Sequence, residues 1–190
     1  MFLVEHPTAG PIMVDTGFHP SVVRDVSPQL GPGARLLYRV RMDREQTAAA
    51  QLAARGLSPA DVTTVVMTHL HIDHASGISE LPDATYVVDR REWAAAGAPR
   101  GALKGYVPAH FDHPFDWRVI DYDAPGATPF ETFGRSVDLF GDGSVRLLST
   151  PGHTLGTSRC CCGSPAGAAC CSSAMPPTRA ARSRAGRSRC

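Results

Sequence analysis

Residues 68–77 read Thr68-His69-Leu70-His71-Ile72-Asp73-His74-Ala75-Ser76-Gly77, and four potential metal ligands fall within six of them. The run before them, Val62-Thr63-Thr64-Val65-Val66-Met67, is β-branched and nearly all apolar. That pattern predicts a strand buried on both faces. The ligand cluster would then sit at its carboxyl end, where open α/β sheets carry their sites. His69 and His71 are two apart, so at a strand end both imidazoles can share one side. Asp73 and His74 follow where the chain must turn, ending at Gly77. Neutral imidazoles suit Zn²⁺ at about 2.0–2.1 Å, and a carboxylate can add an oxygen ligand. His153, in Thr150-Pro151-Gly152-His153-Thr154, offers a third imidazole from a second strand-end loop. Two His from one loop and one from another make an open site with a position left for water.

Working outward, Met1 to Glu5 and Pro11 to Val14 read as a hairpin around Pro7-Thr8-Ala9-Gly10, opening onto Asp15-Thr16-Gly17. An Asp at a strand end before Gly can mark an active-site edge or a plain turn. Residues 18–41 are loop-rich. Arg44 to Arg55 is a helix candidate with Gly56 as its stop. Ser58-Pro59-Ala60-Asp61 resembles an N-cap with Pro at N1. Thr85 to Val88 reads as a strand and Arg90 to Ala96 as a short helix. Trp117 to Asp121, Ser136 to Phe140 and Val145 to Ser149 read as strands, the last two joined by a tight Gly-Asp-Gly turn. Four of the eight His lie in the two ligand motifs, which sets these apart from a chance scatter. His6, His19, His110 and His113 read as surface or packing residues, with pocket lining as a second reading for His110 and His113.

The chain has 190 residues, enough for one domain with a buried core. No apolar run approaches the roughly 18–20 residues that span a bilayer. The first residues lack a basic leader and an apolar signal core, so a cytoplasmic location is expected. The net charge of +1 hides an asymmetry. Up to Ser158 the chain carries all 18 acids against 12 Arg and one Lys, Lys104; from Arg159 on there are six Arg, all six Cys and no acid. The composition therefore divides the chain into a domain over residues 1–158 and a Cys/Arg-rich tail over 159–190. The tail contains no Leu, Ile, Val, Phe, Tyr or Trp, and is expected to be disordered and to form no core strand.

His69-Leu70-His71-Ile72-Asp73-His74 resembles the HxHxDH signature of the metallo-β-lactamase superfamily. Pro11 to Gly17 resembles the family's strand before the site, and Thr150 to Thr154 its later His-bearing loop. The run from Thr64 to Gly77 and the loop from Gly105 to Trp117 are most similar to the N-acyl-homoserine lactonase-like branch. The resemblance covers about residues 2–158. It implies an α/β fold, the αββα sandwich, with two zinc ions. His69, His71 and His153 would hold one metal; Asp73 and His74 would hold the other. The implied reaction is attack of a metal-activated hydroxide on the carbonyl of a small-molecule lactone or ester. Asp73 would be the catalytic residue, orienting the hydroxide and protonating the leaving alkoxide.

The family pattern also calls for an Asp bridging both metals, a Tyr soon after it and a final His. This chain has no acid after Asp142, no Tyr after Tyr122 and no His after His153. The implied sandwich is thus incomplete, with at most one firmly bound zinc and impaired turnover. Three readings of the tail compete. Its Cys lack the separated pairs of a zinc ribbon. Its six Arg are a weak nucleic-acid signal, so no such partner is expected, nor a membrane. The third reading is a frameshift. GC-rich codons for residues 158–178, read from the third base, turn each Cys-Cys step into Leu. They can yield two apolar strands followed by Gly-Asp-Ala-Ala-Tyr. A further strand before Phe2 is also expected from the resemblance, which would make Met1 an internal start. The leading expectation is a defective lactone hydrolase. The alternatives are another hydrolase of the superfamily (thioesterase, β-lactamase or arylsulfatase-like) and a non-enzymatic metal- or nucleic-acid-binding protein with a genuine tail.

Overall fold

The computed structural model describes residues 1–30 and 40–163, together with the backbone of Ala169–Cys171 and Arg187–Arg189. Part of the loop expected over 18–41, and most of the expected tail, lie outside the described residues. Two sheets face each other. The first has the order Arg187–Arg189, Phe2–His6, Gly10–Val14, Thr64–Val66, Thr85–Asp89, Asp116–Ile120, and the second Ala169–Cys171, Ser158–Cys162, Val145–Ser149, Phe133–Asp138, Thr128–Phe130.

Strands β1 (Phe2–His6) and β2 (Gly10–Val14) form the expected antiparallel hairpin. Strands β3 (Thr64–Val66), β4 (Thr85–Asp89) and β5 (Asp116–Ile120) then add in parallel. Parallel neighbours need crossovers, and these carry helices. They are α1 (Ala48–Ala53), α2 (Ile72–Ala75), α3 (Arg90–Ala96) and α4 (Pro108–Phe111). Thr47 accepts from the Ala50 amide to start α1, and Asp89 accepts from the Arg91 amide to start α3. The second sheet is antiparallel: β6 (Thr128–Phe130), β7 (Phe133–Asp138), β8 (Val145–Ser149), β9 (Ser158–Cys162) and β10 (Ala169–Cys171). Strand β11 (Arg187–Arg189) runs parallel to β1.

The alternation of side chains across β3 and β4 divides the core in two. Met13, Val65, Tyr86 and Val88 point to the helices, where they meet Leu52, Ala75, Ala96 and Phe111. Val14, Val66 and Val87 point the other way, against Leu139, Val145, Leu147, Cys160 and Cys162 of the second sheet. Each such aliphatic side chain, removed from water, contributes about 1.5–3 kcal/mol. The described layers are thus helix, sheet, sheet, and the helices among the described residues that enter these cores pack on the first sheet.

The expectation that no core strand follows residue 158 is overturned. The boundary placed between Ser158 and Arg159 falls inside β9, whose register with β8 runs from Ser149↔Ser158 to Val145↔Cys162. Arg159 to Cys162 are part of a core strand. Buried thiols behave as small apolar groups, so Cys160 and Cys162 fill inward positions that the absence of Leu, Ile and Val had argued against.

Candidate metal centre

The loop after β3 is held open by a buried carboxylate. Asp15, at the end of β2, has φ of 60°, a left-handed conformation that Asp tolerates better than most residues. This turn aims its side chain under the His-bearing loop. Asp15 Oδ1 accepts from the Thr68 amide at 2.8 Å, and the Thr68 hydroxyl donates to the same carboxylate. Oδ2 lies 2.8 Å from His74 Nδ1. The Thr16 amide and hydroxyl both donate to the His74 carbonyl, at 2.9 and 2.7 Å. Gly77 packs so closely on Thr16 that a Cβ there would lie 2.9 Å from the Thr16 carbonyl oxygen. Strand β2 therefore fixes both ends of the ligand loop, and α2, a single turn, projects Asp73 and His74 from it.

The structure brings all five expected ligands together. Donor atoms of His69, His71 and His153 lie within 4.8 Å of one another, and so do those of His69, Asp73 and His74. His69 belongs to both groups. His71 Nδ1 lies 3.0 Å from His153 Nε2, and the His69 ring sits 3.9 Å from that of His74. His69 is buried, and its Nε2 has no hydrogen-bond partner among the described residues. A buried imidazole nitrogen left without a partner is costly unless something binds it. With donor atoms of His71 and His153 within 4.8 Å of one on His69, this set fits a divalent metal.

The electrostatics keep two of the imidazoles, His69 and His71, available. Burial, followed by the field of His74, lowers the His69 pKa to about 3. Burial and the neighbouring His153 also lower that of His71. Both rings are thus neutral donors over the physiological range. His74 behaves differently. Burial opposes its cation, but hydrogen bonds to Asp15 and Asp73 outweigh that and raise its pKa to about 9. Asp73 is its counterpart: burial would raise the carboxyl, but the contact with His74, at 3.2 Å, holds it down at about 2.

A cleft opens beside His71 and His153, walled by Ala95, Lys104, Tyr106, Thr154 and Leu155. Leu155 is 66% exposed, an apolar side chain at the mouth. Tyr106 packs its ring 4.9 Å from that of His71. Lys104, the chain's one Lys, contributes a backbone hydrogen bond to His71.

The other four His stay outside. His6 bonds Ser144, His19 caps a short helical turn and pairs with Glu80, and His113 stacks on Phe115. His110 is buried among packing residues, and neither it nor His113 lines the cleft. Sequence reasoning flagged Asp15 only as a possible edge and missed Glu92, Tyr106 and Thr154. Asp15 could have been found from its place at the end of the strand beside β3. Glu92 gave no signal, because its partners are 22 and 62 residues away.

The chain is 36% identical over 157 residues to N-acyl homoserine lactonase AttM of Agrobacterium fabrum, and 34% identical over 157 residues to that of Azorhizobium caulinodans. In both cases the alignment covers 82% of this chain and 56% of the relative. It thus spans a little over half the length of these relatives. Among solved structures it is similar to a mutant of Bacillus thuringiensis AiiA with N-decanoyl-L-homoserine bound at the active site. That match has 25% identity and a TM-score of 0.63, and covers 85% of this chain and 57% of the other. No helix among the described residues is long and apolar enough to cross a membrane. The family profile of the metallo-beta-lactamase superfamily matches residues 1–167, and with the fold and the ligand loops in agreement, the chain belongs to that superfamily.

Proposed function

We propose that this chain carries the metal-binding half of a zinc-dependent hydrolase that opens the lactone ring of N-acyl homoserine lactones. The observation that carries the reading is the convergence of His69, His71 and His153 around a buried, unpartnered imidazole nitrogen. The relatives named as lactonases support the substrate class. Zinc bound here would supply Lewis acidity and a lowered water pKa. The protein's own groups do the rest. Asp73, ionised and half-exposed, holds a proton acceptor at the face of the site and can return that proton to the leaving alkoxide. Asp15 fixes the orientation of His74. Leu155 and Ala95 offer an apolar wall to an acyl chain, and the Tyr106 ring limits movement of His71.

The same reading includes impairment. Among the described residues the second metal position gathers His69, Asp73 and His74, and His69 is shared with the first. At most one zinc is expected to bind firmly. We attribute the segment after about residue 158 to a shifted reading frame, in which Cys160 and Cys162 occupy positions meant for Leu. The protein acts on small molecules, in the cytoplasm.

The test compares this chain with the product of a frame-restored gene. Zinc content is measured, and ring opening of N-acyl homoserine lactones is assayed beside a thioester and a β-lactam. Lactone opening by the restored product, with one zinc or fewer and little turnover in this chain, is expected. Thioester or β-lactam turnover without lactone opening would overturn the substrate class. Two zinc ions and equal rates in this chain would overturn the impairment.

A further inference from the structure

Glu92 is wholly buried, on the first turn of α3, and none of the roles above uses it. Its two carboxylate oxygens reach separate ligand-bearing loops. Oε1 accepts from the amide of Leu70, the residue between His69 and His71, at 2.9 Å. Oε2 accepts from the hydroxyl of Thr154, the residue after His153, at 2.6 Å. The Tyr106 hydroxyl hydrogen-bonds the same carboxylate, and the Tyr106 ring packs on His71. Gly156 lies against the backbone of Glu92 with no room for a side chain, which fixes the distance between α3 and the His153 loop.

The two loops come from different sheets: one follows β3 of the first, the other joins β8 to β9 of the second. Hydrogen bonds of the β ladder hold each strand within its own sheet but do not set the separation of His71 from His153. A carboxylate with one oxygen on each loop does. Charge-assisted bonds of this kind are short and strongly directional. We infer that Glu92 is a positioning residue: it spans the two sheets and sets the tri-imidazole geometry before a metal arrives. This rests on the metal-centre reading, but not on the identity of the substrate.

Zinc affinity of the full chain tests it, by competition with a chromophoric chelator. The variants are Glu92→Gln, Glu92→Asp and Thr154→Val, each checked for folding by near-UV circular dichroism. Groups that orient metal ligands typically change affinity by about 10- to 100-fold. Glu92→Gln is expected to weaken zinc binding within that range, since an amide cannot accept at both ends. Glu92→Asp, one methylene short, is expected to lose one of the two loops and not to rescue. Thr154→Val is expected to cost about tenfold while leaving Leu70 held. A merely structural Glu92 would lower the melting temperature but leave the affinity of the folded variants within twofold of the parent, which would overturn the inference. If Glu92→Gln fails to fold, Thr154→Val decides, because it removes only one hydroxyl. A parent that binds no zinc would overturn both this inference and the metal centre, whereas zinc binding without lactone opening would overturn the substrate alone.

Discussion

Replacing Gly156 with Ala tests the packing beneath the metal centre more sharply than removing any ligand. A Cβ at this position would lie 2.5 Å from Glu92 Cβ and 2.7 Å from Glu92 Cα, and closer still to the Glu92 amide nitrogen. Ordinary contact begins at 3.4 Å and the amide nitrogen is the nearest obstacle, so α3 and the loop must separate by more than about 0.9 Å. The obstacle is backbone, and no rotamer change relieves it. The same displacement would stretch the 2.6 Å bond from Thr154 to Glu92 to the limit of hydrogen bonding. Overpacking of this kind costs about 1–3 kcal/mol. Loss of a hydrogen bond to a charged group adds about 1.5–3 kcal/mol. A total of about 2.5–6 kcal/mol corresponds to a fall in melting temperature of roughly 5–24 °C for a chain of this size. Thermal unfolding followed by circular dichroism, without added metal, measures it. Gly126→Ala is the control: its Cβ would meet nothing within 4 Å and its backbone needs no left-handed conformation. It is expected to change stability by less than about 1 kcal/mol. A Gly156→Ala protein melting within 2 °C (about 1 kcal/mol or less) of the parent would refute the tight approach of α3 to the His153 loop.

Asp15→Asn keeps the shape and tolerates the left-handed backbone, but leaves one of its buried donors facing an amide NH₂. It is expected to cost about 1–3 kcal/mol in denaturant unfolding and about 10- to 100-fold in zinc affinity; unchanged values would show that the carboxylate does not orient His74. His110 gives a pH dependence away from the metal ligands. Burial lowers its pKa to about 4, against 6.5 when exposed. Between those values the unfolded chain binds the proton and the folded chain does not, so stability falls as pH drops from about 6.5 to 4 and then levels off. The loss attributable to His110 is at most about 3 kcal/mol. His110→Gln is expected to reduce the difference between denaturant midpoints at pH 7 and pH 4.5; an unaltered difference would argue against a neutral, buried His110.

The parts of this fold legible in the sequence are those in which one residue type serves one purpose over a short span. Val62 to Met67 announced a doubly buried strand because β-branched side chains fill both of its faces. The His cluster announced that its imidazoles converge, because alternation at a strand end puts His69 and His71 on one side. Strand β6 escaped notice because it is three residues long, contains Pro129 and pairs with β7 through an irregular register. Strand β9 escaped because Ser-Arg-Cys-Cys-Cys has no branched aliphatic residue, although Cys160 and Cys162 serve as one would in the inter-sheet core. The support beneath the site was illegible for a different reason. Asp15 reaches Thr68 and His74 across 53 and 59 residues, and Glu92 reaches Thr154 across 62. A buried carboxylate is recognised by the donors around it, and no local pattern carries those donors.

His71 and His153 are 82 residues apart in the chain and lie in loops that follow strands of opposite sheets. An ion shared between them would act as a cross-link closing that long loop, much as a disulfide does. For a loop of 82 residues, the chain-entropy relation used for disulfides puts the effect on the unfolded ensemble at about 4.5 kcal/mol. The centre would then serve as a rivet through the sandwich as well as a place for chemistry. Stripping the metal would loosen the attachment of one sheet to the other before it disturbed either sheet from within.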